Sequence, residues 1–270
     1  MKNIIKREIK NITDNINFTI DEAGYLFGTP EWNFVNTANV RENKLYCITR
    51  GKAYVKTQNK EYTLTEGNIY LLCADRMWEY RCDGEFEKLY FHFNCEVYNS
   101  LDLFKGLNDV FELKDTDGIT DKMKKLFYSD SYADFLLLEN ILQNTVLKFV
   151  DKTGSRLNKY CDLGKKYKDI FEYTEKHLSS KLTAAQICKL TGRREATVNA
   201  NFKRDTGMTV NRYIKKCIYN RVCRELLYST LHVNEISEKY EFSDPYYFSN
   251  WFKKISLMSP YNYKRKYKKQ

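Results

Sequence analysis

The chain has 270 residues, with 45 Lys and Arg against 35 Asp and Glu, and it is 43% apolar and 15% aromatic. That composition builds packed cores and excludes wholesale disorder, and the length fits two domains of about 100–150 residues. No stretch reaches the ~18 uninterrupted apolar residues of a membrane span, and Met1 to Lys10 lacks the apolar region of a signal peptide. No membrane partner is expected, and the expected location is the cytoplasm. There the eight cysteines, none in a C-x-x-C pair, are reduced thiols.

Charge divides the chain. Residues 1–160 carry 22 basic and 24 acidic side chains, whereas residues 161–270 carry 23 and 11, a net of +12. A basic back half on a neutral front half points to a polyanionic partner such as nucleic acid; the plain alternative is a solvated basic surface.

From Trp32 to Cys95 the sequence reads as short strands rich in Tyr, Val, Ile and Phe. Examples are Leu45–Thr49, Ala53–Thr57, Glu61–Leu64, Ile69–Cys73 and Lys88–Asn94. Arg50-Gly51, Gln58-Asn59-Lys60, Thr65–Asn68 and Asp83-Gly84 read as the turns between them. Such spacing indicates an antiparallel barrel or sandwich. Helices follow at Ile119–Phe127 and Asp134–Val150. The second has a stripe of Phe135, Leu138, Leu142, Val146 and Phe149, with Leu136, Leu137, Ile141, Leu147 and Val150 on other faces. It therefore covers the barrel, meets a second copy of the chain, or does both.

Alternation places Lys88, Tyr90 and His92 on one face of a strand, and Trp78 and Tyr80 on one face of the strand before it. An aromatic wall with a few cations and donors suits a polar, anionic or hydroxylated small molecule inside the barrel. The alternative is that these aromatics simply fill it. His92 is the only histidine before residue 177, and one imidazole cannot supply the several His/Glu ligands of a metal centre inside a barrel. No metal, no cofactor and no enzymatic activity are expected.

The back half contains a duplication. Phe202-Lys203-Arg204 through Tyr213 returns fifty residues later as Phe252-Lys253-Lys254 through Tyr263. In the first copy, Thr183-Ala184-Ala185-Gln186 reads as a capping box, Gly192 as a turn, and about Glu195–Asp205 as a second helix. In the second copy, Asn234–Tyr240 leads to a turn at Glu241 and a helix opened by Ser243-Asp244-Pro245. Two short helices across a tight turn form a helix-turn-helix. The motifs span about 183–205 and 232–255, and the helix between them is about 28 Å long at ~1.5 Å per residue. Val198, Phe202, Phe248, Phe252 and Ile255 face inward. Arg193, Glu195, Ala196, Asn199, Ala200 and Lys203, and in the second copy Ser243, Tyr246, Ser249, Asn250 and Lys253, are the candidate DNA-contacting residues. Small, amide and hydroxyl side chains edged by lysine suit a helix in a major groove. The tail Lys264–Lys269 either meets phosphate or is a solvated charge run.

On these residues, about Tyr167 to Tyr267 resembles the C-terminal domain of AraC/XylS-type transcriptional regulators, including the closing Ser259-Pro260 and Tyr263-Lys264. The front half is similar to the cupin-type effector domain of that family at Thr49-Arg50-Gly51, Glu66-Gly67-Asn68 and Tyr90–Phe93, and at Glu66–Trp78, where Trp78 replaces a metal-binding histidine. The resemblance implies an α+β protein: an N-terminal cupin-like antiparallel β-barrel followed by helices, and an all-α domain with two helix-turn-helix motifs. It places a ligand-binding domain at 1–110, a helical linker and dimerisation region at 111–160, and a DNA-binding domain at 161–270. It adds Arg50 to the barrel-wall residues. It implies a homodimer bound to a double-stranded operator, a small-molecule effector, and RNA polymerase as partner of an activator. The alternatives are a barrel that only dimerises and, remotely, a cupin-type enzyme. The chain departs from the family pattern at Glu241 and Leu257, where glycine is usual, and at Arg194, where a serine cap is usual.

Overall fold

The structure, a computed structural model, describes residues 16–36, 42–57, 60–74, 78–107, 109–153 and 156–267. The expectations for Met1–Lys10, Gln58-Asn59, Asp75–Met77 and Lys268-Lys269 lie outside the described residues. The chain forms two compact units: Ile16–Val97 with Leu101–Tyr160, and Tyr98–Ser100 with the chain from Cys161 onward.

The first unit is antiparallel throughout. Its main sheet runs in the order β1 (Ile16–Gly28), β7 (Phe86–Val97), β3 (Asn43–Lys56), β5 (Asn68–Leu72) and β9 (Val110–Lys114). β2 (Phe34–Asn36) pairs with β6 (Trp78–Arg81), and both β6 and β4 (Glu61–Thr65) pair with the second half of β3. β8 (Leu101–Asp102) pairs with β7. Neither β1 nor β9 was expected from the sequence.

The two strands expected between Leu45 and Thr57 are one strand, β3. Arg50-Gly51 is not a turn but a bulge: the register against β7 shifts between Ile48 and Arg50, and Gly51 has φ 70°. A Cβ on Gly51 would lie 2.5 Å from the Glu85 carbonyl oxygen, so glycine is required. The bulge changes which side chains point inward. Tyr46 and Ile48 enter the barrel core before it, Val55 after it. It also lets β3 pair with β7 and β5 in its first half and with β4 and β6 in its second.

Inside the barrel lie Tyr46, Ile48, Val55, Tyr70, Leu72, Trp78 and Tyr80. On the opposite face of the main sheet, Leu45, Cys47, Leu71, Leu89, Phe91 and Phe93 are fully buried. α1 (Ile119–Phe127) lies over that face, with Thr120 against Cys47. The Asp115 carboxylate accepts from the Ile119 and Thr120 amides at 2.8 Å, fixing the start of α1. α2 (Tyr132–Lys152) packs on α1 and β9 and buries Leu138, Leu142, Val146, Phe149 and Val150. Phe135 departs from the expected stripe: it sits in the first turn, before the buried run begins, and is 56% exposed. Leu136, Leu137 and Leu147 are exposed as well.

The second unit is helical. α3 (Arg156–Lys166) and α4 (Lys168–Lys176) precede the pair α5 (Ala184–Leu190) and α6 (Glu195–Thr206). α7 (Val210–Tyr228) connects these to α8 (Val233–Lys239) and α9 (Pro245–Ser256), and α10 (Pro260–Tyr267) follows. Each helix pair has an aromatic core. Phe202 meets the rings of Tyr167, Phe171 and Tyr213, and Phe252 meets those of Tyr219, Phe248 and Tyr263. All eight cysteines are free thiols. No helix among the described residues is long and apolar enough to cross a membrane.

Candidate nucleic-acid interface and barrel interior

The two helix pairs repeat one set of hydrogen bonds. α5 opens with a capping box, in which the Thr183 amide donates to Gln186 Oε1 at 2.8 Å and the Gln186 amide to Thr183 Oγ1 at 3.4 Å. The chain then turns through Gly192 at φ 65°, and in the second copy through Glu241 at φ 54°. After α6 the Thr206 hydroxyl accepts from the Met208 amide, and after α9 the Ser256 hydroxyl accepts from the Met258 amide. Thr209 and Ser259 then cap the next helices, accepting from the Arg212 and Asn262 amides at 3.3 and 3.2 Å. The copies differ at the start of the second helix. Arg194 gives α6 no side-chain cap, whereas Asp244 accepts from the Tyr247 amide at 2.6 Å and Pro245 fills the first turn of α9.

Val198, Phe202, Phe248 and Phe252 are buried as expected, while Ile255 is half-buried. Arg193, Glu195, Ala196, Ala200 and Lys203 on the first copy are exposed, as are Ser243, Tyr246, Asn250 and Lys253 on the second. Arg193 pairs with Asp169 at 3.5 Å. Ser249 is half-buried. Asn199 is half-buried too and differs from the expectation: its Oδ1 accepts from the Val210 amide at 3.1 Å, so its carbonyl holds the start of α7. Asn250 is exposed and makes no hydrogen bond to any described residue. Beside the start of α6, Lys166, Tyr167, Arg193, Arg194 and Asn201 help line a surface pocket of about 480 Å³. Asp205 accepts from Lys166 Nζ and Tyr167 Oη, each at 2.6 Å, and these bonds hold its carboxyl down at about 2. In the tail, Lys264 Nζ donates to the Leu231 carbonyl at 3.0 Å, while Arg265 and Lys266 are exposed.

In the barrel, Trp78, Tyr80 and Lys88 are buried and Tyr90 and His92 are half-buried. Arg50 is not with them. Its side chain is 65% exposed and pairs with Glu87 at 3.4 Å. The bulge reverses the alternation that would have carried Arg50 inward. Lys44, which the sequence reading passed over, takes the interior position. Its Nζ donates to Tyr80 Oη at 2.7 Å. Lys88 Nζ stands 3.3 Å from the centre of the Tyr46 ring, 4.7 Å from Trp32 and 5.4 Å from Tyr90. Burial pulls Lys44 down to about 8, and burial together with neighbouring Lys44 pulls Lys88 well below the usual lysine range. His92 is lowered to about 4 by burial and Lys44, against the opposing pull of Glu22, whose Oε2 lies 3.2 Å from its Nδ1. His92 is therefore neutral at neutral pH. The signal for Lys44 lay in the sequence: Lys44-x-Tyr46-x-Ile48 alternates like Lys88-x-Tyr90-x-His92, and the two runs pair antiparallel. No group of three or more potential metal ligands occurs among the described residues.

Residues 19–126 match the family model described as an AraC-like ligand binding domain, and residues 187–266 match a helix-turn-helix domain. Comparison with curated proteins gives no match. Among solved structures, the chain is similar to ToxT from Vibrio cholerae at 14% identity, over 93% of this chain and 98% of that one, with a TM-score of 0.48. It is also similar to the C-terminal domain of the response regulator yesN from Fusobacterium nucleatum, at 23% identity over 37% of this chain and 98% of that one, TM-score 0.35. For the C-terminal domain of the response regulator AraT from Geobacillus stearothermophilus, the identity is 25% over 37% of this chain and 82% of that one, TM-score 0.35. A cupin-like antiparallel ligand domain, followed by helices and a duplicated helix-turn-helix, matches both family models in order, and the chain belongs to the AraC/XylS family of transcriptional regulators.

Proposed function

We propose that this protein binds operator DNA sequence-specifically and regulates transcription in the cytoplasm under the control of a small molecule held in its barrel. The observation that carries the reading is the duplicated motif, whose two exposed helix faces belong to a segment of net charge +12. A 19-residue helix, about 28 Å long, links the copies. That length suits two recognition helices placed about one helical turn of DNA apart.

In this reading Asn250 reads a base edge with Ser249 and Tyr246 lining the groove beside it, and Ala196 and Ala200 line the groove at the other recognition helix. Lys203 and Lys253 meet phosphate, as do Arg193 and Ser243 at the helix starts. Residues 1–110 hold the effector, and residues 161–270 hold the DNA. The stretch 111–160 supplies a dimer contact through the exposed Leu136, Leu137 and Leu147 of α2. An activator of this build touches RNA polymerase.

Selection of duplexes from a random pool by the full-length chain, followed by footprinting, tests the proposal. Two protected tracts about one turn, roughly 10 base pairs, apart are expected. Affinity should fall steeply with salt. Equal protection of selected and scrambled duplexes overturns the sequence-specific reading.

A further inference from the structure

Lys44 and Lys88 come from neighbouring strands and point into the same aromatic cage. They are 5% and 4% exposed. Neither forms an ion pair with any described residue, and Lys88 Nζ makes no hydrogen bond there either. The Lys88 amine instead lies against ring faces, and the Lys44 amine has one phenol oxygen. Buried ammonium groups are normally matched by a carboxylate, because desolvation otherwise costs several kcal/mol. Two such groups side by side add their mutual repulsion. The carboxylate of Glu22 bonds His92 and Tyr90, and Glu22 and Glu42 act on the amines only through space, without touching them. The interior therefore carries a pair of buried amines that no carboxylate touches among the described residues, and their natural complement is an anion. Two amines and one phenol satisfy the two oxygens of a carboxylate but offer too few donors for a phosphate. The flat walls of Trp32, Tyr46, Tyr80 and Tyr90 favour an apolar body behind the charge.

We propose that the effector is an organic carboxylate whose charged group lies between Lys44 and Lys88 and whose apolar body lies among Trp32, Tyr46, Tyr80 and Tyr90. The proposal rests on the reading of the barrel as the effector chamber.

The test uses the full-length chain and millimolar phenylacetate, cinnamate and hexanoate, each paired with its own primary amide at matched ionic strength. Melting temperature and Trp emission are followed in the wild type, Lys44→Met, Lys88→Met and the exterior control Arg50→Gln. At least one carboxylate is expected to raise the melting temperature by about 5 °C, with its amide inert. Each lysine variant should lose at least about tenfold in apparent affinity, as expected for a charge-assisted contact, and Arg50→Gln should lose none. Without ligand, Lys88→Met should melt at or above the wild-type temperature, because a repulsive buried amine has gone. Equal responses to carboxylate and amide, or undiminished binding by both lysine variants, overturn the proposal and leave the chamber reading standing. Absence of any response to all six probes overturns both. If both lysine variants melt several degrees below the wild type without ligand, the amines are structural supports and the proposal fails.

Discussion

The two helix-turn-helix copies share a hydrogen-bond plan but deviate from good local geometry in opposite places. The first has glycine at both left-handed positions, Gly192 and Gly207, yet begins its recognition helix on Arg194 with no side-chain cap. The second caps that helix with Asp244 and Pro245 but places Glu241 and Leu257 at φ 54° and 65°. Each deviation costs on the order of 1 kcal/mol. A duplicated unit thus tolerates different local penalties in each copy as long as the aromatic core around Phe202 or Phe252 is intact. The copies also use their amides differently: Asn199 holds α7, whereas Asn250, next to its counterpart Ser249 in the second copy, bonds no described residue.

The largest expected effect exploits that last contrast. Asn250→Ala should lower affinity for the selected operator by about 1–3 kcal/mol while sparing scrambled duplex and melting temperature. Asn199→Ala should do the reverse, lowering melting temperature by the equivalent of about 1–2 kcal/mol through the lost cap on Val210. Parallel duplex titrations and thermal melts decide the matter, and equal losses of Asn250→Ala on both duplexes would remove it from base reading.

Repairing the deviations comes next. Glu241→Gly and Leu257→Gly should each stabilise the second copy by up to about 1 kcal/mol, because glycine removes the left-handed strain, less its own unfolded-state entropy. Arg194→Ser should stabilise the first copy by about 1 kcal/mol. Denaturant midpoints at constant slope read these changes. A loss on any of the three would show that the replaced side chain makes a contact worth more than the strain.

The smallest effect separates the copies by pH. Asp205 stands where the second copy has Ile255, so only the first copy has this carboxylate network. Its folded value of about 2 lies below the ordinary 3.8. Its contribution is therefore complete above about pH 4 and disappears as pH falls towards about 2. Asp205→Asn should melt below wild type at neutral pH, with the gap closing across that window. A gap that persists undiminished at pH 2 would assign the loss to packing instead.

The duplication, the capping box and the Asp244-Pro245 start were legible in the sequence because caps and apolar spacing are local signals. The strands around Tyr46, Tyr70 and Tyr90 were legible through alternation. β1 was not: its alternation is broken by the register shift between Ile20 and Glu22, and Asp21–Gly24 in its middle resembles a turn. Lys44 was missed because a charged residue at an inward position contradicts hydrophobic patterning, which is also why it is informative once seen. The role of Asn199 was beyond reach, since its partner amide, eleven residues away, is defined only by how α6 and α7 meet.

The bulge in β3 also sorts charge. Uninterrupted alternation beyond Tyr46 and Ile48 would send Arg50, Lys52 and Lys56 into the barrel together with Tyr54. One extra residue sends Ala53 and Val55 there instead and leaves those three cations in water. Each cation kept out spares a desolvation cost of several kcal/mol. The chamber is left with two cationic side chains rather than five, few enough for one small carboxylate to contact both.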